Sequence, residues 1–415
     1  MSGFKRVLFF AEAVTLAHVA RPIVLAKGLD AAHYEVVIAC DPRYKRFLDL
    51  EPWQTLPLQS ISSRQFLRAL ASGSPVYDLE TLRRYVKEDL ALIDRVKPDL
   101  IVGDFRLSLS VSARLAGVPY ASVTNAYWSP YYPVHKFPLP VLPMTKYLPV
   151  PVAKQLFRLA QSFAFNLHCK PLNRVRQENG LLSLGDDLRR VYTDADHTLY
   201  ADVPAMFPTE NLPSNHHYLG PILWSPPDTL PEWWSHLPDD KPIIYLTLGS
   251  SGPEHLIQIV LNALADQPVI VIASTAGAVV PQRLPANVYI ADFLPGMQAA
   301  ARSKLVICNG GSPTSQQALA AGVPVLGIAS NMDQFLNMQA VVEAGAGIVL
   351  RADRISGDGI RAAVNKILVS SHLFIGAGKL ANAFSTHDSS RIFAAFAAEV
   401  TGGAPAQMAH CYKNL

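Results

Sequence analysis

A chain of 415 residues exceeds the usual single-domain size, so two domains are expected. Half of the residues are hydrophobic, 17% are charged and the net charge is +3, which supplies two cores and excludes a disordered chain. No Lys/Arg-rich tract points to nucleic acid, and Cys40, Cys169, Cys308 and Cys411 form no CxxC pair, which predicts reduced thiols in a cytoplasmic protein.

The amino terminus is apolar after two basic residues, but Glu12 and His18 interrupt the run and no convincing cleavage site follows. It predicts a buried strand over Arg6–Phe10 rather than a signal peptide. Helical spacing follows at Ala20–Leu29, then an apolar, β-branched run at Glu35–Cys40. Leu79–Val96 reads as a helix, Leu100–Val102 as a strand ending in Gly103-Asp104, Leu109–Ala116 as a helix and Tyr120–Thr124 as a strand. This alternation predicts a parallel sheet with helices on both faces, whose ligands collect at the carboxyl ends of the strands. No segment reaches the ~20 uninterrupted apolar residues needed to span a bilayer.

Ala126–Phe165 stands apart. It holds Tyr127, Trp128, Tyr131, Tyr132, Phe137, Tyr147 and Phe157 among prolines running from Pro130 to Pro151. One reading is an irregular wall between domains; the other is an acceptor-binding lid in which Tyr127, Trp128 and Tyr131 line the pocket. Interleaved Lys146, Lys154 and Arg158 extend the lid reading to peripheral membrane contact. Asp194-Ala195-Asp196 reads as a helix-to-strand turn, and His216-His217 as surface or linker residues.

The Pro- and Trp-rich stretch Gly220–Lys241 reads as the joint between domains, because proline blocks regular structure. Beyond it come strands at Pro242–Leu248, Val269–Ala273, Val288–Ile290, Leu305–Cys308 and Val325–Ile328, again with helical stretches between. The expected partition is therefore 1–219, a linker at 220–241, a second domain at 242–385, a helix at 386–402 crossing back to the first domain, and a loose tail at 403–415.

The most informative stretch is Cys308-Asn309-Gly310-Gly311-Ser312-Pro313-Thr314. A strand, a glycine turn and a helix start put backbone N–H groups and the positive end of a helix dipole at one point, which favours a diphosphate. Asn331-Met332-Asp333-Gln334 sets a carboxylate and an amide beside it to read sugar hydroxyls. Gly249-Ser250-Ser251, ending the preceding apolar strand, is placed to add a phosphate contact.

These residues resemble the family-one, macrolide-type nucleotide-sugar glycosyltransferases. Phe293-Leu294-Pro295-Gly296 matches the family's aromatic-x-Pro-Gln stretch, with Phe for Trp and Gly for Gln. Asn309-Gly310-Gly311-Ser312-Pro313-Thr314 matches its glycine turn with Asn for His, and Gly322-Val323-Pro324 and Asp333-Gln334 match outright. The resemblance implies a GT-B fold, two Rossmann-like α/β domains facing across a cleft. It also implies a UDP- or dTDP-sugar co-substrate, no metal and no other cofactor.

By the same resemblance Phe293, with Leu294 beside it, stacks on the base, and Asn309, Gly310, Gly311, Ser312 and Thr314, with Ser250, hold the diphosphate. Gln317 stands where relatives carry a ribose-binding Glu, and Asp333 and Gln334 bond the transferred sugar. His18, in Leu16-Ala17-His18-Val19-Ala20-Arg21-Pro22, occupies the place of the general base, and Asp104 that of its carboxylate partner. An imidazole titrates near neutrality and is steadied by such a partner.

The leading expectation is an inverting, metal-independent glycosyltransferase acting on a hydroxyl of a hydrophobic small molecule or lipid. The alternative is a nucleotide-sugar-binding accessory protein with little or no transfer, favoured by Asn309, Gly296 and Gln317. The paired His18 and Asp104 favour the enzyme, because a pure binder needs no base.

Overall fold

A computed structural model describes residues 4–134, 136–226, 230–249, 254–275, 277 and 284–402. The chain divides into two compact units. One comprises Met1–Pro133, Leu159–Ile222 and the chain from His387 on; the other comprises Val134–Arg158 and Leu223–Thr386.

The first unit is built on seven parallel strands: β1 Lys5–Ala11, β2 Tyr34–Cys40, β3 Gln54–Pro57, β4 Leu100–Asp104, β5 Tyr120–Thr124, β6 His197–Tyr200 and β7 His216–Tyr218. Their order is β3-β2-β1-β4-β5-β6-β7. The chain starts in the middle, runs out to one edge and returns to the other side of β1. That reversal creates a switch point between β1 and β4, where neighbouring connections leave in opposite directions and open a crevice. Val7, Leu8, Phe9 and Phe10 are fully buried, as strands covered on both faces require. The amino-terminal run is thus a strand, as its pattern predicts.

The second unit repeats the plan with β8 Ile243–Thr247, β9 Ile270–Ser274, β10 Val288–Ala291, β11 Leu305–Cys308, β12 Val325–Ala329 and β13 Gly347–Arg351. The order is β10-β9-β8-β11-β12-β13, all parallel, so a second switch point lies between β8 and β11. Both units are Rossmann-like, in agreement with the α/β, GT-B expectation.

Three local differences from the sequence reading have physical causes. The first helix spans Ala17–Lys27, starting before the predicted Ala20; Pro22 inside it removes one backbone donor and weakens the helical signal. The stretch after Pro149, for which the sequence leaves an irregular wall or a lid open, is the long helix Val150–Glu178; Pro151 sits in its first turn, where an N–H has no intrahelical partner anyway. His216 and His217, read as surface or linker residues, form the half-buried edge strand β7.

The stretch Val134–Arg158 belongs to the second unit, where the Arg351 guanidinium donates to the carbonyls of Leu139 and Pro140 and the Val141 N–H to that of Ser330. The helix Ser389–Thr401 belongs to the first unit, and Phe393 packs 5.7 Å from Phe9. A side chain at Gly28 would lie 2.1 Å from the Ser390 carbonyl oxygen, so only glycine lets this helix dock there. Among the described residues, no single helix is long and apolar enough to cross a membrane. The tail 403–415, Cys411 included, lies outside the described residues; Cys40, Cys169 and Cys308 are buried thiols without disulfides.

Candidate active site

The first switch point gathers groups that sequence places far apart. Ala11 at the end of β1 pairs with Asp104 at the end of β4, and the chain leaves β1 through Glu12–Leu16 into the first helix. His18 lies in that helix's first turn, and its Nδ1 is 2.7 Å from Asp104 Oδ1. Asp104 is 1% exposed and His18 keeps 18% of its side chain accessible. With Asp104 ionised, Nδ1 carries the proton and donates it, so Nε2 holds the ring's basic lone pair. Such a pair can take a proton from a hydroxyl and stabilise the imidazolium that results.

Two further residues complete this corner, and sequence reading misses both. Arg21 is three residues after His18, on the same helix face; its Nη1 stands 3.7 Å from Asp104 Oδ1 and its Nη2 donates to Asn125 Oδ1 at 2.6 Å. Phe105 adopts a left-handed φ of 60° and stacks on the His18 ring, with centroids 5.0 Å apart and planes 16° from parallel. A bulky residue takes that backbone conformation only where its surroundings impose it.

The surroundings here are a buried ionic cluster. Arg106, fully buried, donates to Asp89 Oδ1 at 3.0 Å, Glu12 Oε2 at 2.9 Å, the Gln59 carbonyl at 2.7 Å and Glu88 Oε2 at 3.0 Å. Its guanidinium lies 3.5 Å from the centre of the Tyr85 ring. Ser108 and Ser112 donate to Asp89 Oδ2. Burial pushes the Glu12 and Asp89 carboxyls above the usual carboxylate range even with Arg106 beside them. The cluster ties the residue after β1 to the residue two past Asp104, and so fixes both loops that carry the dyad.

Among the described residues, those that directly leave β8 and β11 at the second switch point, Leu248-Gly249 and Asn309-Gly310-Gly311, carry no charge. Cys308 pairs with Thr247, which brings the residues after β11 beside those after β8. Gly310 has φ 80°, and a Cβ there would meet Met338 Cγ at 2.8 Å, so the turn requires glycine. Gly311 caps the helix Ser312–Ala320, whose first turn offers N–H groups and the positive dipole end. Asn309 is 7% exposed, and its Oδ1 accepts the Gly311 N–H at 3.0 Å, making an Asx turn. Asn337, fully buried and outside the motifs read from sequence, donates to the Gly310 carbonyl and to Ser315 Oγ, each at 2.8 Å. Its only sequence signal is a polar residue inside the apolar run Phe335–Met338.

The remaining expected donor-side residues are placed unequally. The half-buried Phe293 follows β10, with Leu294 buried behind it, and Thr314 is half-buried on the glycine-turn helix, next to buried Ser312. Gln317 is 9% exposed; its amide donates to the Trp224 carbonyl and its oxygen packs where a Gly296 side chain would be. Gln334 is 2% exposed, and its Oε1 accepts from Ser330 N, Ser330 Oγ and Asn331 N, closing a capping box with Asn331. Asp333, half-buried, lies in the first turn of that helix, whose cap is Asn331. Ser250 lies outside the described residues.

In the first unit, Tyr127 is fully buried and Trp128 is 9% exposed, the latter edge-on to Tyr192 at 5.0 Å; Tyr192 in turn packs 5.6 Å from Phe105. Tyr131, half-buried, packs against His216. Asp194 is taken by Arg114 and Arg176 and Asp196 accepts the Tyr120 N–H, so this pair serves the helix-to-strand turn.

Residues 258–391 match the family model of the erythromycin biosynthesis protein CIII-like C-terminal domain. The chain is 54% identical over 380 residues to a PGL/p-HBAD biosynthesis glycosyltransferase of Mycobacterium tuberculosis strain H37Ra, covering 92% of this chain and 89% of that protein. It is 53% identical over 380 residues to a PGL/p-HBAD biosynthesis rhamnosyltransferase of Mycobacterium bovis strain BCG Pasteur, covering 92% and 84%. Among solved structures, the spinosyn rhamnosyltransferase SpnG complexed with thymidine diphosphate aligns with a TM-score of 0.68 at 18% identity, covering 94% of this chain and 99% of that one. The chain belongs to the family-one, macrolide-type glycosyltransferases of GT-B fold, and it is a glycosyltransferase.

Proposed function

We propose that the chain transfers a sugar from a UDP- or dTDP-sugar to a hydroxyl of a hydrophobic small-molecule or lipid acceptor, with inversion and without a metal. The observation that carries this reading is the 2.7 Å contact of His18 Nδ1 with buried Asp104 at a switch point. His18 Nε2 takes the acceptor's hydroxyl proton as the oxygen attacks the anomeric carbon. The bond from that carbon to the diphosphate oxygen breaks, the nucleoside diphosphate leaves with the electron pair, and the imidazolium returns its proton to solvent. Phe293 stacks on the base. Gly310, Gly311, Ser312 and Thr314 cradle the diphosphate with the helix dipole, which stabilises the leaving charge. Asp333 reads the sugar's hydroxyls. Gln317 and Gln334 support the site through Trp224 and the capping box.

The rhamnosyl transfer named for the M. bovis relative and the thymidine diphosphate named for SpnG put dTDP-rhamnose first among donors to try. The PGL/p-HBAD products of the relatives make apolar hydroxylated acceptors the first panel. The test is turnover of UDP- and dTDP-sugars on that panel, with the anomeric configuration of the product read by NMR. Transfer with inversion that falls ~10²–10⁴-fold in Asp104→Asn supports the reading. Nucleotide-sugar binding with no product on any acceptor would point to the accessory role instead.

A further inference from the structure

We infer that the helix Val150–Glu178 carries a docking face for an anionic lipid bilayer, a property separate from sugar transfer. Val152, Leu156, Leu159, Phe163 and Leu167 recur at intervals of three and four, and so form one row along the helix. Leu159 is 84% exposed and Phe163 71%, and the other three are exposed as well. Tyr147, just before the helix, is 85% exposed. Phe157, Phe165, Leu172 and Val175 on the other side are buried, so the helix already has a protein-facing surface and the row is additional to it. Large apolar side chains seldom stand in water in a continuous row unless something covers them.

The charge around the row names the occupant. No acidic residue occurs between Asp104 and Glu178, whereas Lys146, Lys154, Arg158, Lys170 and Arg174 lie in or beside the helix. Lys170 and Arg174 continue the same helical face beyond Leu167. The neighbouring helix Ser63–Ser72, reached through His168 Nε2 at 3.2 Å from the Gly73 carbonyl, exposes Arg64 and Arg68. No acidic residue occurs between Glu51 and Asp78 either. The acidic group that closes the row is Glu178, which pairs with Arg174 and with Arg83.

A second copy of the chain on this face would set cations against cations, which disfavours self-association. A bilayer with anionic headgroups satisfies both features at once: leucine and phenylalanine enter the acyl boundary while Lys and Arg stay among the phosphates. An acceptor carried in or on a membrane would then be met where it resides.

The test is co-sedimentation of the full chain with phosphatidylcholine vesicles, with and without phosphatidylglycerol. Binding should rise roughly 10-fold or more with the anionic lipid and fall as salt is raised. Leu159→Glu with Phe163→Glu should abolish it while circular dichroism and melting stay unchanged, because both side chains are exposed. Lys170→Glu should weaken binding to the anionic vesicles alone. Absence of vesicle binding at every composition would overturn the inference. So would binding that the double variant retains, or a dimer in ultracentrifugation that the double variant dissociates in place of any vesicle effect.

Discussion

At the first switch point, β1 and β4 bring together an imidazole and a buried carboxylate, backed by an ionic cluster around Arg106. At the second, β8 and β11 bring together Gly249 and Asn309-Gly310-Gly311, a turn with no charged side chain. The two sheets share one topology, so the difference lies in the residues that follow the strands. The proposed proton transfer needs a side chain whose basic atom is held in place, and in the first unit the contact with Asp104 orients the His18 ring. The proposed diphosphate site needs convergent N–H dipoles, and the second unit has a positive-φ Gly310 and the N-terminus of the helix Ser312–Ala320 at this turn. What is rigid in the first is an ion network; in the second it is a backbone shape.

The comparison breaks most severely at Arg106. Arg106→Met strands Glu12 and Asp89 as buried carboxylates with no cation, so roughly 3–5 kcal/mol of stability should be lost, read from the urea midpoint. At the other switch point the corresponding injury is to shape. Gly310→Ala forces a non-glycine φ above zero and crowds Met338, which should cost about 1–3 kcal/mol and weaken nucleotide binding measured by calorimetry.

Asn309→His sharpens the comparison by giving the second switch point a group that can carry charge. The imidazole Nδ1 can accept the Gly311 N–H as the Asn309 oxygen does, so the fold should hold. Donor affinity should stay within about tenfold with the neutral ring, which donates through Nε2–H as the amide does, and should tighten where the ring is protonated, at the cost of the Gly311 contact, since a charge-assisted hydrogen bond is roughly twice as strong as a neutral one. A large loss of affinity would show that the amide itself is required.

The smallest expected effect lies away from both sites. Burial, reinforced by neighbouring His217, lowers the His216 pKa from 6.5 to about 4. The unfolded chain therefore binds a proton that the folded chain refuses between these values. The corresponding stability is complete above pH 6.5 and is lost as pH falls toward about 4. The melting temperature should decline across that window, and His216→Asn should flatten the decline.

Much of this architecture is legible in the residues themselves. The alternation of apolar runs and helical spacing points to both sheets, and the glycine turn and Asp104 stand at strand ends as their spacing predicts. The short strands β3, β6, β7 and β13 escape such a reading because a few residues with polar ends carry little periodicity, as His216-His217-Tyr218 illustrates. Phe105 and Arg106 directly follow Asp104, but a left-handed backbone and a buried guanidinium leave no pattern in sequence. The motif around Gln334 suggests sugar binding, whereas its oxygen closes a capping box, a signature also present in Asn331-Met332-Asp333-Gln334. The prolines that precede Val150–Glu178 hide the exposed row on that helix.

The central claim is that chemistry belongs to His18 in the first unit and donor binding to the turn in the second. It is tested most directly in His18→Ala, by measuring the turnover number and, by calorimetry, the nucleotide Kd of the same sample. Turnover should fall ~10²–10⁴-fold while Kd stays within about twofold of the unmodified protein. Undiminished turnover would contradict the account.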